Sequence, residues 1–176
     1  MKKQDILENQ VNLVYLALGS NLGDKKNNLN KSIDLIQEEG ILIKKRSKFY
    51  NTKSWPNVNF PNFINSILLV ETKLNIAELF LKIKKIEKKL GRTKSKRNHP
   101  RVCDIDIIDY NGEIIHSRLG IHKLNTPHKR MHNRNFVLFP LYELDKDWVH
   151  PKLNKNIVFL MSNLTLVQLL GIKIAQ

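Results

Sequence analysis

Apolar residues in this chain recur with two alternating periods, and the order in which the periods take turns leaves few folds open. Val14 to Leu18 is a short apolar run closed by Gly19-Ser20-Asn21-Leu22-Gly23-Asp24. Leu29, Ile33 and Ile36 then follow at helical spacing as far as Gly40, with Asp24 placed to cap the start and Gly40 to end it. Ile41 to Tyr50 interleaves lysines with Ile, Leu, Phe and Tyr, as a strand with one wet face does, and Phe63 to Thr72 is a second β-rich run. Between them, Asn51 to Asn62 holds Pro56, Pro61 and four asparagines, the composition of a long loop. Asn75 with Glu78 forms a capping box, and Ile76, Leu79, Ile83, Ile86 and Leu90 form an apolar stripe up to Gly91. A last strand begins near Arg101. The order β, α, β, loop, β, α, β predicts an α+β fold of the ferredoxin-like kind, a mostly antiparallel sheet with helices on one face.

Beyond that core, Asn133 is a candidate cap for a short helix through Phe136, Leu138 and Leu141, which Pro140 must kink or shorten. The run Ile157 to Ile174 is apolar without a clear period. Residues 1–12 are polar and aperiodic and read as an extension; residues 13–176 fit one domain, since a 176-residue chain with 41% hydrophobic residues can bury about 70% of its unfolded surface. The single cysteine, Cys103, allows no internal disulfide and suits a reducing, cytoplasmic setting. No apolar signal core follows Met1-Lys2-Lys3, and nowhere do eighteen apolar residues run together, so no membrane role is expected.

The chemistry concentrates in Arg101-Val102-Cys103-Asp104-Ile105-Asp106-Ile107-Ile108. A strand turns successive side chains to opposite faces, so Cys103, Ile105 and Ile107 point one way and Asp104 and Asp106 the other. The two carboxylates are rooted about 7 Å apart, near enough to converge on one or two hard cations, Mg²⁺ better than Zn²⁺. Two acids on one strand face repel, and either full solvation or a bound cation would answer that. The net charge is +14, and it is not evenly spread: ten lysines and arginines stand between Lys82 and Arg101 against one acid, Glu87. A polyanion beside the acidic pair is the natural partner for such a cluster.

Gly19 to Gly23 follows a strand and precedes a helix but lacks both the Walker lysine and G-x-G-x-x-G, so it reads as a tight turn bordering a site. His128 lies in Thr126-Pro127-His128-Lys129-Arg130-Met131-His132-Asn133-Arg134, a second crowd of cations that an anion would relieve. The six histidines show no zinc-ligand spacing, and no Ser/His/Asp order stands out. An acidic pair, two basic segments and no evident nucleophile fit phosphoryl-type transfer, in which positioning and charge neutralisation do most of the work.

Tyr15 to Asp24, Phe49-Tyr50-Asn51-Thr52, Phe63-Ile64-Asn65, Gly91-Arg92, Pro100 to Asp106 and Pro127-His128, in this order and spacing, resemble the 6-hydroxymethyl-7,8-dihydropterin pyrophosphokinases of folate biosynthesis, over roughly Leu13 to Leu144. The resemblance implies a ferredoxin-like fold, ATP as co-substrate, two Mg²⁺ ions, and transfer of the β,γ-pyrophosphoryl group to the pterin's hydroxymethyl oxygen with release of AMP. By position it implies Asp104 and Asp106 as metal ligands. Arg92, Arg101, Ile107, His128 and Arg134 match nucleotide-binding positions, with Arg92 and Arg101 also catalytic. Phe63 and Phe136 match the aromatic pair that sandwiches the pterin, Asn65 a reader of its edge, and Thr52 and Trp55 further positions of that pocket. Glu87 matches a characteristic acid of the family. Phe63 and Asn65 are two apart in a strand and so share a face, as a stack and a polar reader of one flat ring require.

One departure is visible: Asn98-His99 stands where relatives often carry an aromatic residue and glycine, in a loop expected to act as a lid, and Trp55 is the residue expected to compensate. The competing class is a small nucleic-acid-binding α+β module, which +14 would suit. Against it, the aromatic pattern of an RNA-recognition sheet is missing and carboxylates stand where phosphates would approach. Small-molecule substrates, no nucleic acid and a monomer are therefore expected.

Overall fold

The computed structural model describes residues 10–55, 57–92 and 99–176. Strands β1 (Asn12–Ser20), β2 (Leu42–Arg46), β3 (Tyr50–Thr52), β4 (Phe63–Thr72), β5 (Asp104–Tyr110) and β10 (Ile172–Ile174) form one sheet. Its order is β10-β3-β4-β1-β5, with β2 also on β4, and every pairing is antiparallel. Helices α1 (Lys25–Glu38) and α2 (Ile76–Lys89) make the two crossovers, which is the ferredoxin-like arrangement. After β5 come a hairpin of β6 (Ile115–Leu119) and β7 (His122–Thr126), helix α3 (Asn135–Leu144), a short ribbon of β8 (Val149–His150) and β9 (Lys155–Asn156), and helices α4 (Ile157–Ser162) and α5 (Leu166–Leu170).

Both crossover helices obey their local signals. Asp24 accepts the N–H of Asn27, and Asn75 and Glu78 close a full capping box. Gly91, at φ +89°, lets the N–H of Gly91 reach Lys88 and that of Arg92 reach Glu87, a Schellman ending that fixes where Arg92 leaves the helix.

Helices cover both faces of the sheet, whereas the element order predicts one. Val14, Leu16 and Leu18 of β1 pack with Leu29, Ile33, Leu79 and Ile83 on the face of α1 and α2. Tyr15, Ile67, Leu69 and Ile108 point the other way and pack with Val137, Leu138, Leu141, Ile157 and Leu160. The second layer is built from α3 and from the aperiodic run after residue 156, which hides its period because it folds as helices of six and five residues and a three-residue strand. Asn133 is not the cap of α3: it lies in a 3-10 turn (Met131–Asn133), and Arg134 holds the cap position without a side-chain bond. Pro140 sits inside α3. The expected strand over Ile41 to Tyr50 is split at Ser47, whose N–H donates to the carbonyl of Ile67 and whose hydroxyl accepts the Ile67 N–H at 2.9 Å, so one extra residue bulges out opposite β4. Asn12 is buried and already paired with Thr72 in β1, one residue before the boundary expected from sequence.

His150 is buried with its ring 5.6 Å from that of Trp148 and 5.9 Å from that of His132. Burial, the His132 charge and Lys152 push its pKa below its usual 6.5. The unfolded chain therefore binds more protons than the folded one in that range. The contribution is intact above about pH 6.5 and declines as pH falls through that value, by at most about 1.4 kcal/mol per pH unit for one proton. Thermal melts from pH 7.5 down to 5 should show Tm falling, and His150→Gln should flatten that slope.

Candidate active site

The pairing register sets three functional positions in one transverse row. Gly19 of β1 is opposite Asn65 of β4 on one side and Asp104 of β5 on the other, and Ala17 is opposite Asp106. By strand alternation Phe63, Asn65, Gly19, Asp104 and Asp106 all project from the face that α3 covers further along. Glycine in the middle of the row is needed for space: a Cβ there would lie 3.1 Å from Asn65 Oδ1 and 3.5 Å from the Phe63 ring. Cys103, Ile105 and Ile107 face the opposite core, as alternation requires. The Cys103 thiol is pushed up to about 12 by burial and is a structural group.

Around the acidic pair stand three guanidinium groups from three segments. Arg92 pairs with Asp104 at 2.7 Å and also with Glu87; Arg101 pairs with Asp104 at 2.9 Å. Arg134, at the cap of α3, lies 3.9 Å from Asp106 and stacks 5.3 Å over the Phe136 ring. Burial lowers the Arg134 pKa and would lower that of Arg92, which Asp104 and Glu87 instead bring above its usual value. Asp106 is the more open acid, its side chain 38% exposed against 24% for Asp104. His128 has its N–H anchored on the carbonyl of Ile108 at 2.8 Å, and burial pushes its pKa down while Asp106 pulls it up. Asp106, Ile107 and His128 line a cavity of about 130 Å³ with Lys84, Leu124 and Asn125.

Across Gly19, the other half of the row is an aromatic and amide surface. Asn65 is buried and donates to Thr52 Oγ1 at 2.8 Å, leaving its carbonyl oxygen over Gly19. Phe63 and Phe136 are both half-buried. Trp55 is 69% exposed, and it is Phe60 of the same loop whose ring lies 5.5 Å from that of His99. The expected lid lies mainly in residues 93–98, including Asn98, outside the described residues.

The structure thus brings Arg92, Arg101, Arg134, Asp104, Asp106, Ile107 and His128 to one side of Gly19 and Thr52, Phe63 and Asn65 to the other. Sequence reading missed two contributors, Asn21 and Lys84, and the burial of a third, Glu87. Asn21, read only as part of a turn, is buried and ties three segments together. Its amide donates to Ser54 Oγ at 3.3 Å and the Pro61 carbonyl at 3.2 Å, and its oxygen accepts the Arg101 N–H at 2.8 Å. Glu87, which the resemblance marks as a characteristic acid, does pair with Arg92, but it stands on the buried side of α2 and is 2% exposed. Its register shows why: it stands four residues after Ile83 and seven after Phe80. Lys84 follows from Glu87 by i,i+3 spacing, a signal present in the sequence.

The sequence profile of the 7,8-dihydro-6-hydroxymethylpterin-pyrophosphokinase (HPPK) family matches residues 15–146. A 2-amino-4-hydroxy-6-hydroxymethyldihydropteridine pyrophosphokinase of Aquifex aeolicus is 41% identical over 78% of this chain and 83% of its own. The folic acid synthesis protein fol1 of Pneumocystis carinii is 36% identical over 86% of this chain and only 20% of its own length, so the chain corresponds to one portion of that longer protein. A crystal structure of Plasmodium falciparum HPPK-DHPS shares the fold at TM-score 0.73 and 17% identity, over 89% of this chain and 46% of that one. With the profile spanning most of β1 to α3, the chain belongs to the 7,8-dihydro-6-hydroxymethylpterin-pyrophosphokinase family.

Proposed function

We propose that the chain transfers the β,γ-pyrophosphoryl group of ATP to the hydroxymethyl oxygen of 6-hydroxymethyl-7,8-dihydropterin, releasing AMP, on the row formed by Asn65, Gly19 and Asp104. The observation that carries this reading is that row, because it sets a flat, amide-edged slot directly beside an acidic pair ringed by arginines. Phe63 and Phe136 stack the pterin, Asn65 reads its edge, and Thr52 holds the Asn65 amide in place. Trp55 is the remaining loop position of that pocket. Arg92, Arg101, His128 and Arg134 hold the triphosphate, with Ile107 against the nucleotide in the cavity behind Asp106.

The donor set fits magnesium. Two carboxylates on one strand face offer oxygen only, Asp106 is open, and among the described residues no third His, Cys, Asp or Glu joins them. Mg²⁺ characteristically takes one or two carboxylates and fills its remaining positions with water and substrate phosphate. Bound there, two ions would neutralise the polyphosphate and polarise its oxygens. The protein's own part is positioning: the arginines orient the nucleotide for in-line attack, and the slot holds the hydroxymethyl oxygen at the β-phosphorus.

The same reading makes the chain a monomer acting on small molecules in the cytoplasm, with no nucleic-acid partner. The acidic pair within the basic cluster supports small-molecule substrates over nucleic acid, and the free, buried Cys103 supports a reducing setting. No described helix is long and apolar enough to cross a membrane. The test is AMP release from MgATP on adding the reduced hydroxymethylpterin. Release only with both substrates and magnesium is expected; tight RNA binding insensitive to magnesium, with no AMP, would replace this reading by a nucleic-acid module.

Gly19→Ala separates the two halves of the site. The new methyl group would press on Asn65 and Phe63 but not on the arginines, so KM for the pterin should rise about tenfold while affinity for a non-hydrolysable ATP analogue stays as in wild type. A change in nucleotide affinity alone would refute the placement of the pterin at Phe63 and Asn65.

A further inference from the structure

Glu87 is a carboxylate 2% exposed inside a helix, and three groups share it: the Lys84 ammonium at 2.8 Å, the Ile105 N–H at 2.8 Å, and the Arg92 guanidinium. Two of the three partners belong to the active site. Ile105 stands between Asp104 and Asp106, and its N–H goes to Glu87 from α2. Arg92 holds Glu87 and Asp104 together, so what Glu87 takes from it is lost to Asp104 and to any anion beside it.

Lys84 differs from its neighbours on the same helix. Lys85 and Lys89 pair with Glu39 and Glu38, and their side chains are 76% and 64% exposed, the geometry of weak surface pairs. The Lys84 side chain is 29% exposed, lies 5.3 Å over the Phe80 ring, and lines the cavity shared with Asp106, Ile107 and His128. A buried carboxylate deprived of one partner leans harder on those that remain.

We propose that Lys84 is a positioning residue: its ammonium compensates the buried Glu87 carboxylate so that Arg92 is left available to Asp104 and the nucleotide phosphates instead of being drawn wholly onto α2. The proposal rests on the reading of this chain as an MgATP-dependent pyrophosphokinase. Lys84 acts through Arg92 and touches no reacting atom. Two other roles make different predictions. A lysine that merely braces the helix would change Tm without a selective effect on nucleotide, and a lysine that itself grips phosphate would be missed whether or not Glu87 is charged.

The experiment is a double-substitution cycle on the full chain: Lys84→Met, Glu87→Gln and the pair, each titrated with a non-hydrolysable ATP analogue and Mg²⁺ by calorimetry, with Tm and turnover followed in parallel. Lys84→Met should weaken nucleotide binding about tenfold, and adding Glu87→Gln should restore it to within about threefold of wild type, because Gln still accepts the Ile105 N–H but no longer competes for Arg92. Lys84→Arg should behave as wild type. Unchanged binding in Lys84→Met overturns the proposal, and so does a double variant as weak as Lys84→Met alone. If instead wild type binds the analogue but releases no AMP with pterin, the functional reading fails while the cycle still decides the role of Lys84.

Discussion

Replacing Asp106 with Ala should lower AMP release by about three orders of magnitude, roughly 4 kcal/mol of barrier, while leaving the fold intact. In the proposed role Asp106 is the more open of two oxygen donors, its side chain 38% exposed and its nearest ion-pair partner among the described residues, Arg134, at 3.9 Å. Without it, one carboxylate remains, and that one is already held by Arg92 and Arg101. The same substitution removes a like-charge repulsion on the strand face, so Tm should be equal to or slightly above that of wild type. Turnover measured beside a thermal melt therefore separates chemistry from folding. Equal AMP release from wild type and Asp106→Ala would end the assignment of this carboxylate as a metal ligand.

Arg101→Ala should cost about 10² to 10³ in kcat/KM, and Arg101→Lys should recover little of it. The backbone of Arg101 is locked twice to Asn21, its N–H to the Asn21 side chain at 2.8 Å and its carbonyl to the Asn21 N–H at 3.1 Å. Its guanidinium donates to Asp104 at 2.9 Å, and its Nε is the one buried side-chain nitrogen or oxygen among the described residues without a hydrogen-bond partner. In the role proposed for Arg101, this unpaired donor beside the acidic pair would meet a phosphate oxygen of the nucleotide; a lysine would supply the charge but not the fork. Steady-state kinetics with each substrate varied checks this. A loss confined to KM for the pterin would contradict the placement of Arg101 on the nucleotide side.

Much of the fold was legible because the signals are local. The caps at Asp24 and Asn75, the glycine endings at Gly40 and Gly91, and the β-rich run over Phe63 to Thr72 each depend on a few neighbouring residues, and the structure follows them. The alternation of Asp104 and Asp106 with Cys103, Ile105 and Ile107 was equally readable, since a period of two needs no partner strand to be recognised. The second helical layer was not readable: α4 and α5 are one or two turns long, too short for a period to show, and the burial of Ile157 and Leu160 in α4 exists only because β1, β4 and β5 present Tyr15, Ile67 and Ile108 on that side. Ser47 broke a strand that its neighbours would have continued, through bonds to residues 66 and 67.

The sequence by itself determined which residue types this protein has available for chemistry, the family it resembles, and the helix ends and strand faces that carry them. Tertiary structure alone decided the register that sets Asn65, Gly19 and Asp104 in one row, the burial of Glu87 against Ile105, and the gathering of Asn21, Ser54, Pro61 and Arg101 at one point. The physical reason is range. Caps, turns and alternation are settled within a few residues, but register, burial and charge compensation are properties of strands and helices brought together from distant parts of the chain.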